Sequence, residues 1–292
     1  MILADPGAII FVGGTPYAGA DAVAELLGDR PDTAMVPAAL RFHSEPRGIP
    51  ALLSGRIGFD DFLAEVSAGE LAEQAGQERL DGAIATFRAS YDDDPIDSSR
   101  ALFWTLLSAA AEGEPGQTLV DASPGNLMEA HTLARLIPES RFVHVVRDGR
   151  DVATAAAEAK AAPPRLAAAL EWWADQLRDV ERGIRGEEDG ARYAIPDARL
   201  ITVVLDELAS DDGEAAYQSL LDGLRLDGGR STGSSGQAPL NPETIGRGRW
   251  RRYARGPGSW LFSRRYARAL SELADEGNHA ARPLQHSYER LG

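Results

Sequence analysis

The chain has 292 residues and a formal net charge of −15, with 45 acidic side chains against 30 basic ones. This surplus of negative charge repels nucleic acid and other polyanions, so we expect no nucleic acid partner and a small molecule as the ligand. The absence of cysteine excludes disulfide bonds, thiolate metal sites and a cysteine nucleophile.

The first third of the chain combines a strand pattern with a long helical region. Residues 8–12 are an apolar, β-branched run that predicts a buried parallel strand. A glycine turn over residues 13–19 follows, and residues 20–27 carry a helical pattern. A short strand is expected near residues 33–36, and residues 57–112 are expected to be mainly helical.

Strand and helix patterns alternate through the rest of the chain. Strands are predicted at residues 118–121, 142–146 and 200–205, and helices at residues 152–161, 215–224 and 260–291. This alternation predicts an α/β fold, a P-loop-like parallel sheet flanked by helices. Because the strands are spread from residue 8 to residue 205, we expect a single domain over residues 1–292. A flexible loop is expected at about 227–242, where glycine, serine and proline are frequent.

The location of the protein is predicted from what its hydrophobic pattern lacks. No apolar run approaches the roughly 18 residues that span a bilayer, and the first residues lack the basic region of a signal peptide. These features predict no membrane span and a cytoplasmic protein. No pattern in the sequence indicates an oligomeric state.

The glycine turn has the layout of an anion-binding site. A strand, a tight turn and a helix N-terminus present free backbone N–H groups and the positive end of a helix dipole. The candidate binding residues are Gly14, Thr15, Pro16, Tyr17, Ala18, Gly19, Ala20 and Asp21. Ala20 and Asp21 stand where a Walker A loop requires lysine and then serine or threonine, so a P-loop kinase or NTPase is disfavoured. The alternative is that the turn serves only the strand-to-helix connection.

A segment in the middle of the chain resembles a known family. Residues 135–153, RLIPESRFVHVVRDGRDVA, closely resemble the 3′-phosphate-binding strand and helix of bacterial-type sulfotransferases that use 3′-phosphoadenosine 5′-phosphosulfate (PAPS). Weaker likenesses follow the family's order: the glycine turn to its 5′-phosphosulfate loop, residues 121–126 to its Lys-Thr-Pro segment, residues 205–208 to its Tyr-Glu-Asp-Leu strand end, and residues 245–253 to its Gly-Arg-Trp loop. The resemblance covers residues 8–253 and implies the sulfotransferase fold.

The resemblance also implies a site for PAPS or for its product adenosine 3′,5′-bisphosphate (PAP), without a metal. Arg147 would pair with the 3′-phosphate, since a planar guanidinium can make two parallel hydrogen bonds. Further nucleotide contacts would come from Thr154, Arg247, Gly248, Arg249 and Trp250. Two alternatives stay open. Arg147 could be a surface residue paired with Asp148 or Asp151, and the arginines of the C-terminal loop could be a solvated basic stretch.

Several side chains depart from the family pattern. Tyr17 replaces the loop cation and offers only a neutral hydrogen bond to the departing 5′-phosphate, while Asp21 brings a negative charge to the loop. Ala122 replaces the lysine of the Lys-Thr-Pro segment. The loss of one charge-stabilising donor commonly raises the barrier by ~3 kcal/mol. We therefore expect the standard reaction to be strongly impaired.

Tyr17 and His43 are the candidate catalytic residues. His43 follows Arg41 and Phe42, near where bacterial members carry an acidic residue before an Arg-Phe pair, and histidine titrates close to neutrality. Its alternative role is packing. His144 lies inside a predicted strand and is expected to be a core residue with satisfied hydrogen bonds.

Two hypotheses for function follow from these patterns. The leading one is a transferase that moves a sulfuryl group from PAPS to a hydroxyl of a small-molecule acceptor. The alternative is a diverged member that keeps the fold and binds a nucleotide or another ligand, or that catalyses a different reaction without standard sulfotransferase activity.

Overall fold

The computed structural model describes residues 8–37, 42–44, 46–68, 71–110, 116–186, 194–226 and 239–291. Two sequence-based predictions fall on other residues. Most of the expected loop, residues 227–238, lies outside the described residues, and so do residues 38–41 of the segment before Phe42.

Five parallel strands form one sheet, as the sequence predicts. The strands are β1 Ile9–Gly14, β2 Thr33–Met35, β3 Thr118–Asp121, β4 Arg141–Val146 and β5 Leu200–Val204. Their order in the sheet is β2-β3-β1-β4-β5. In the register of the first strands, Ile10 is paired with Val120, and Ala34 with Leu119. All five predicted strands are found within one or two residues of their expected ends.

Helices connect and flank the strands. They are α1 Ala20–Gly28, α2 Ile49–Leu53, α3 Phe59–Ala68, α4 Leu71–Ala75, α5 Gln77–Ser90, α6 Pro95–Ala110, α7 Ala130–Leu136, α8 Gly149–Glu158, α9 Leu166–Arg185, α10 Leu205–Leu208, α11 Gly213–Leu224, α12 Pro257–Asp275 and α13 Ala281–Leu291. Two 3₁₀ turns lie at Asp197–Arg199 and Arg249–Arg252. None of the helices in the described ranges is both long and apolar enough to cross a membrane.

Helices α8, α11 and α12 begin two or three residues earlier than predicted, and the helix expected over residues 260–291 is divided into α12 and α13. The early start of α8 has a clear cause. The sequence pattern placed its start at residue 152, but α8 starts at Gly149 because the Asp148 side chain accepts a hydrogen bond from the Arg150 N–H and caps the helix. The cap brings α8 directly against the end of β4.

The chain divides into two compact units. The first consists of Met1–Gly13, Ala24–Phe142 and Gly183–Arg199, and the second of Gly14–Val23, Val143–Arg182 and Leu200–Gly292. The core of the first unit contains Phe11, whose ring lies 5.4 Å from that of Phe142 and 6.2 Å from that of Phe103 between centroids.

The core of the second unit is built around Trp173 of α9. Its ring packs 5.5 Å from that of Tyr266 in α12, and both side chains are almost completely buried. Aliphatic residues of β4, α8 and α13 complete this core, among them Val146, Val152 and Leu284. Burial of this apolar surface fixes α8 and α12, the helices next to the candidate site.

Candidate nucleotide site

The shape of the glycine bend between β1 and α1 is determined by backbone contacts and backbone conformation. A Cβ atom on Gly14 would lie 2.2 Å from the Val145 carbonyl oxygen, so only glycine fits beside the end of β4. Tyr17 and Gly19 both adopt left-handed backbone conformations, with φ of 66° and 89°. The Ala18 N–H donates to the Thr15 carbonyl at 3.1 Å. The bend leads directly into the first turn of α1, where the first backbone N–H groups have no acceptor within the helix.

The side chains of the bend differ in exposure. Thr15 and Ala18 are buried, whereas Pro16 and Tyr17 are exposed. Gly14, Gly19 and Ala20 are half-buried. Asp21 is exposed in the first turn of α1, where a carboxylate is stabilised by the helix dipole. The negative charge that the sequence analysis noted therefore stands at the helix end that would receive an anion.

Arg147 connects the end of β4 to this bend. The residue is 7% exposed, and its Nη1 lies 3.5 Å from the Tyr17 carbonyl oxygen. Its Nη2 donates to the Ile245 carbonyl and lies 3.9 Å from an Asp151 carboxylate oxygen. Its Nε has no hydrogen-bond partner among the described residues. Arg147 is therefore a buried residue beside the glycine bend and not the surface residue of the alternative interpretation. Asp151, one of the two carboxylates proposed as its partner in that alternative, is nevertheless close to it.

The C-terminal loop is bound to α8 by a side chain that the sequence analysis did not select. The Asp151 carboxylate accepts hydrogen bonds from the Gly248 and Trp250 N–H groups, at 2.7 and 3.0 Å. Burial raises the pKa of Asp151, a shift that these hydrogen bonds and Arg147 counteract only in part. A carboxylate in the first turn of a helix gave no local signal for a contact with a segment almost a hundred residues away.

The predicted loop residues have different surroundings. Trp250 is buried, Arg247 is half-buried and Arg249 is exposed, with its Nη1 3.2 Å from a Glu158 carboxylate oxygen. A Cβ atom placed on Gly246 would lie 3.5 Å from the Arg249 Nε and 3.8 Å from the Arg147 Nη2. Both arginines therefore reach the same glycine, even though Arg249 also makes a surface ion pair.

Thr154 lies in α8 with its hydroxyl group engaged inside the helix. The residue is buried, and its Oγ1 donates to the Arg150 carbonyl at 2.7 Å. A contact from this hydroxyl to a phosphate would require that bond to be exchanged. Its nucleotide role stays a prediction.

A second acidic residue sits beside Arg147. Asp206, in α10, accepts a hydrogen bond from the Asp148 N–H at 3.0 Å and is 4% exposed. Burial and the nearby Asp148 carboxylate raise the pKa of Asp206 to about 6. Residues 205–208 resemble a family strand end, but this resemblance implied no role for Asp206. The two acidic residues that follow β5, Asp206 and Glu207, were the available signal.

Arg150 is a further buried cation that was missed. Its guanidinium donates to both Asp148 carboxylate oxygens and lies over the rings of Trp250, Tyr266 and Tyr288, 4.3 to 5.0 Å from their centroids. A neighbouring cavity of about 30 Å³ is lined in part by Asp206, Arg247 and Tyr288. That volume suits a water molecule, not a nucleotide. Arg150 thus has a packing and ion-pair role at this site.

His43 lies in the core of the first unit. It is completely buried, with its Nε2 3.0 Å from an Asp121 carboxylate oxygen and its ring within 6 Å of Phe11, Phe42 and Phe103. Burial disfavours the ionised form of Asp121, but the charge and hydrogen bond of His43, with bonds from Asn126 and Ser123, lower its pKa overall. The packing supports the structural alternative for His43, and the base role stays a prediction.

His144 differs from expectation in its polar contacts. It is fully buried in β4, as a core residue should be, but neither ring nitrogen has a hydrogen-bond partner among the described residues. Burial lowers its pKa to about 4, so it is neutral at physiological pH. The expected satisfied hydrogen bonds are therefore not formed within the described ranges.

A comparison with protein-family models decides the family. Residues 9–227 match the model described as "Sulfotransferase family", and this match covers most of the chain. The chain belongs to the sulfotransferase family. The glycine bend and Arg147 of this sulfotransferase-family protein both lie within the matched region.

Curated relatives match a shorter region. Protein-tyrosine sulfotransferase 2 of Gallus gallus is 31% identical over 144 residues, which are 49% of this chain and 32% of that protein. Protein-tyrosine sulfotransferase 1 of Mus musculus is 31% identical over 142 residues, with the same shares. The match thus spans about a third of the length of these relatives.

A solved structure extends the likeness of fold along the chain. The sulfotransferase domain from the Synechococcus PCC 7002 olefin synthase superposes with a TM-score of 0.51 at 16% identity, covering 91% of this chain and 97% of that domain. This similarity supports the sulfotransferase fold of the family member described here. Within its described residues, no group of three histidine or acidic side chains is arranged to hold a metal ion.

Proposed function

We propose that this protein binds PAPS beside the glycine bend of its second unit and transfers the sulfuryl group to a hydroxyl of a small-molecule acceptor. The observation that carries the proposal is the position of Arg147. Its buried guanidinium lies against the Tyr17 carbonyl, and its Nε has no partner among the described residues. A buried cationic donor of this kind suits a phosphate oxygen, because a charged acceptor would satisfy both its charge and its free N–H group.

The residues of this unit fit the two ends of the nucleotide unequally. Arg147 and Arg249, which both approach Gly246, would hold the 3′-phosphate, with Gly248 and Trp250 keeping the loop in place. The N–H groups at the start of α1 would receive the 5′-phosphate. No side chain of the bend is cationic, so the Tyr17 hydroxyl would supply the hydrogen bond to the departing phosphate oxygen.

PAPS, when bound, supplies the sulfuryl group. The sulfur–oxygen bond to the 5′-phosphate breaks while one to the acceptor oxygen forms, and the hydroxyl proton passes to a general base. The net charge of −15 favours a neutral or cationic acceptor over an anionic one, because the protein's field repels anions. Turnover should be slow, since a missing cationic donor commonly costs about a hundredfold in rate.

Isothermal titration calorimetry with PAP tests the nucleotide site. We expect PAP to bind the wild-type protein and Arg147→Ala to weaken binding by about a hundredfold, the loss of two charge-assisted hydrogen bonds. Arg88→Ala, at an exposed arginine of α5, is the matched control and should bind PAP as the wild type does. Folding of each variant is checked by circular dichroism. Absence of PAP binding to the folded wild-type protein, or unchanged binding by folded Arg147→Ala, would refute the proposal.

A second candidate is a nucleotide-binding member without sulfuryl transfer. It is favoured by the acceptors around Arg147, since its guanidinium already contacts the Ile245 and Tyr17 carbonyls and lies 3.9 Å from Asp151. The exposed Asp21 carboxylate at the start of α1 adds a charge that opposes phosphosulfate.

The two candidates separate on turnover. Radiolabelled PAPS is incubated with a panel of small hydroxyl compounds, and product is measured for the wild type and for Tyr17→Arg. PAP binding with no wild-type turnover, and turnover in Tyr17→Arg, would establish the second candidate. Turnover in the wild type that falls in Tyr17→Phe would establish the first.

A further inference from the structure

The C-terminal part of the second unit carries a concentration of positive charge. Residues 244–271 contain eight arginines and no aspartate or glutamate, in a chain whose net charge is −15. Two of the eight, Arg247 and Arg249, belong to the proposed nucleotide site. The remaining ones lie on the surface that follows it, so this charge needs a separate explanation.

The start of α12 exposes two large apolar side chains within this basic segment. Trp260 is 63% exposed and Leu261 is 48% exposed. The helix is anchored by Phe262 and Tyr266, which are buried in the core. Because residues four apart lie on the same helix face, Arg264 and Arg265 stand directly beside the two exposed residues. The Arg264 guanidinium carbon lies 5.4 Å from the centroid of the Trp260 ring.

Two further exposed arginines precede α12 in the chain. Arg252 and Arg255 are exposed, and the 3₁₀ turn that ends at Arg252 packs near the helix through Trp250, whose ring lies 6.1 Å from that of Phe262. We call the set the basic–aromatic surface; it consists of Arg252, Arg255, Trp260, Leu261, Arg264 and Arg265. All six side chains belong to one continuous stretch of the second unit.

The four arginines of this surface are not neutralised within the described part of the chain. Arg249 pairs with Glu158 and Arg268 pairs with Glu272, but no ion pair to a described carboxylate is formed by Arg252, Arg255, Arg264 or Arg265. Exposed tryptophan and leucine next to unpaired cations favour a partner that offers negative charge and an apolar phase together.

We infer that the basic–aromatic surface docks on an anionic phospholipid bilayer. Indole rings are stabilised at the headgroup level of a bilayer, and guanidinium groups pair with lipid phosphates. A second copy of this chain is disfavoured as the occupant, because a twofold contact through this surface would place arginines against arginines. A nucleic acid duplex matches the charge but offers no apolar phase for Leu261.

Vesicle sedimentation with the full chain tests the inference. The two probes are vesicles of phosphatidylcholine alone and vesicles of phosphatidylcholine mixed with phosphatidylglycerol. We expect binding to the mixed vesicles only, and a marked decrease of that binding at high salt. Each arginine near an anionic surface contributes about a fivefold gain in partitioning. Arg264→Gln combined with Arg265→Gln should therefore weaken binding about 25-fold.

Further variants measure the contribution of the apolar side chains to vesicle binding and control for the change in net charge. Trp260→Ser combined with Leu261→Ser should weaken binding to mixed vesicles at least tenfold while leaving the salt dependence in place. Arg79→Gln combined with Arg88→Gln changes the net charge equally on exposed positions of α5, and it should bind like the wild type. Arg252→Gln with Arg255→Gln, outside α12, repeats the test if the helix variants unfold.

The inference is independent of the proposed nucleotide site. Equal binding to neutral and anionic vesicles, no binding to either, or binding that survives all three sets of substitutions would overturn it. Retention of a polyglutamate peptide or a DNA duplex by the wild type, without vesicle binding, would also overturn it and would identify a soluble polyanion as the partner. PAP titration of the same variants distinguishes a failure of this surface from a failure of the nucleotide site.

Discussion

Asp151 accepts a hydrogen bond from the backbone N–H of Trp250 at 3.0 Å. The same carboxylate accepts the Gly248 N–H at 2.7 Å, so one buried side chain of α8 holds the Gly-Arg-Trp segment in place. This contact links the helix after β4 to the loop that carries Arg247 and Arg249. The position of the loop therefore depends on a side chain of α8.

Replacement of Asp151 should loosen this loop. Asp151→Ala leaves the buried Trp250 N–H and the half-buried Gly248 N–H without an acceptor, and we expect the free energy of unfolding to fall by about 2–4 kcal/mol. Asp151→Asn keeps one acceptor oxygen and should lose less. Urea unfolding at neutral pH measures both, with Asp81→Ala on the exposed face of α5 as the control. An Asp151→Ala protein as stable as the control would show that the loop is held by its other contacts.

Asp206 should make the protein less stable at neutral pH than at mildly acidic pH. Its pKa is raised to about 6 from an ordinary value of 3.8, by burial and by the Asp148 and Asp151 charges, with Arg147 opposing. A raised pKa means that the folded state retains the proton longer than the unfolded chain. Its contribution is therefore fully present below pH 3.8 and is lost as the pH rises through 6.

Asp206→Asn removes this dependence while keeping an acceptor for the Asp148 N–H. We expect the variant to exceed the wild type by about 3 kcal/mol in unfolding free energy at pH 7.5 and to match it near pH 4. Urea unfolding at both pH values provides the measurement. A variant that is less stable than the wild type at pH 7.5 would contradict the assignment.

His144 should have the opposite effect on acid stability. Burial lowers its pKa to about 4 from 6.5, with Glu181 opposing and His279 assisting, so the folded protein resists protonation at a site that the unfolded chain protonates readily. Stability attributable to this residue is therefore lost as the pH falls from 6.5 to 4. His144→Leu should remove up to about 3 kcal/mol of this loss, and it also eliminates two unpartnered ring nitrogens.

The measurement for His144 is a series of urea unfolding curves from pH 7.5 to pH 4. His286→Gln, at an exposed histidine of α13, is the control and should follow the wild-type profile. Because the effects of Asp206 and His144 oppose each other between pH 4 and 6, the wild-type profile should be flatter than that of either variant. A His144→Leu profile parallel to that of the wild type would argue against this role for the histidine.

Gly14 should not tolerate a side chain. A Cβ atom there would lie 2.2 Å from the Val145 carbonyl oxygen, a backbone atom that cannot swing aside. We expect Gly14→Ala to lose about 3 kcal/mol in unfolding free energy or to give no soluble protein. Gly82→Ala in α5 meets no atom within 4 Å and should gain up to about 1 kcal/mol, since alanine favours the helix. Thermal unfolding of the two variants compares them; equal melting temperatures would show that β1 and β4 can separate at this point.

The strands and the family were predictable because their signals are local. Residues 200–204 are apolar and β-branched, and such a run indicates a buried strand whatever its neighbours are. The arginine that follows β4 and the glycines that follow β1 were also found from short segments, since a strand end and a tight turn each leave a pattern within a few residues.

The sequence by itself thus determined the α/β fold, the family and the approximate location of the glycine bend. Only the tertiary structure decided that Asp151 holds the loop at Trp250, that Asp206 contacts the Asp148 N–H, and that His43 is buried against Asp121. Each of these contacts joins residues that are 58 to 99 positions apart. No pattern within one segment identifies the distant partner of a polar side chain; the partner is chosen when the elements pack and the buried group must find its hydrogen bonds.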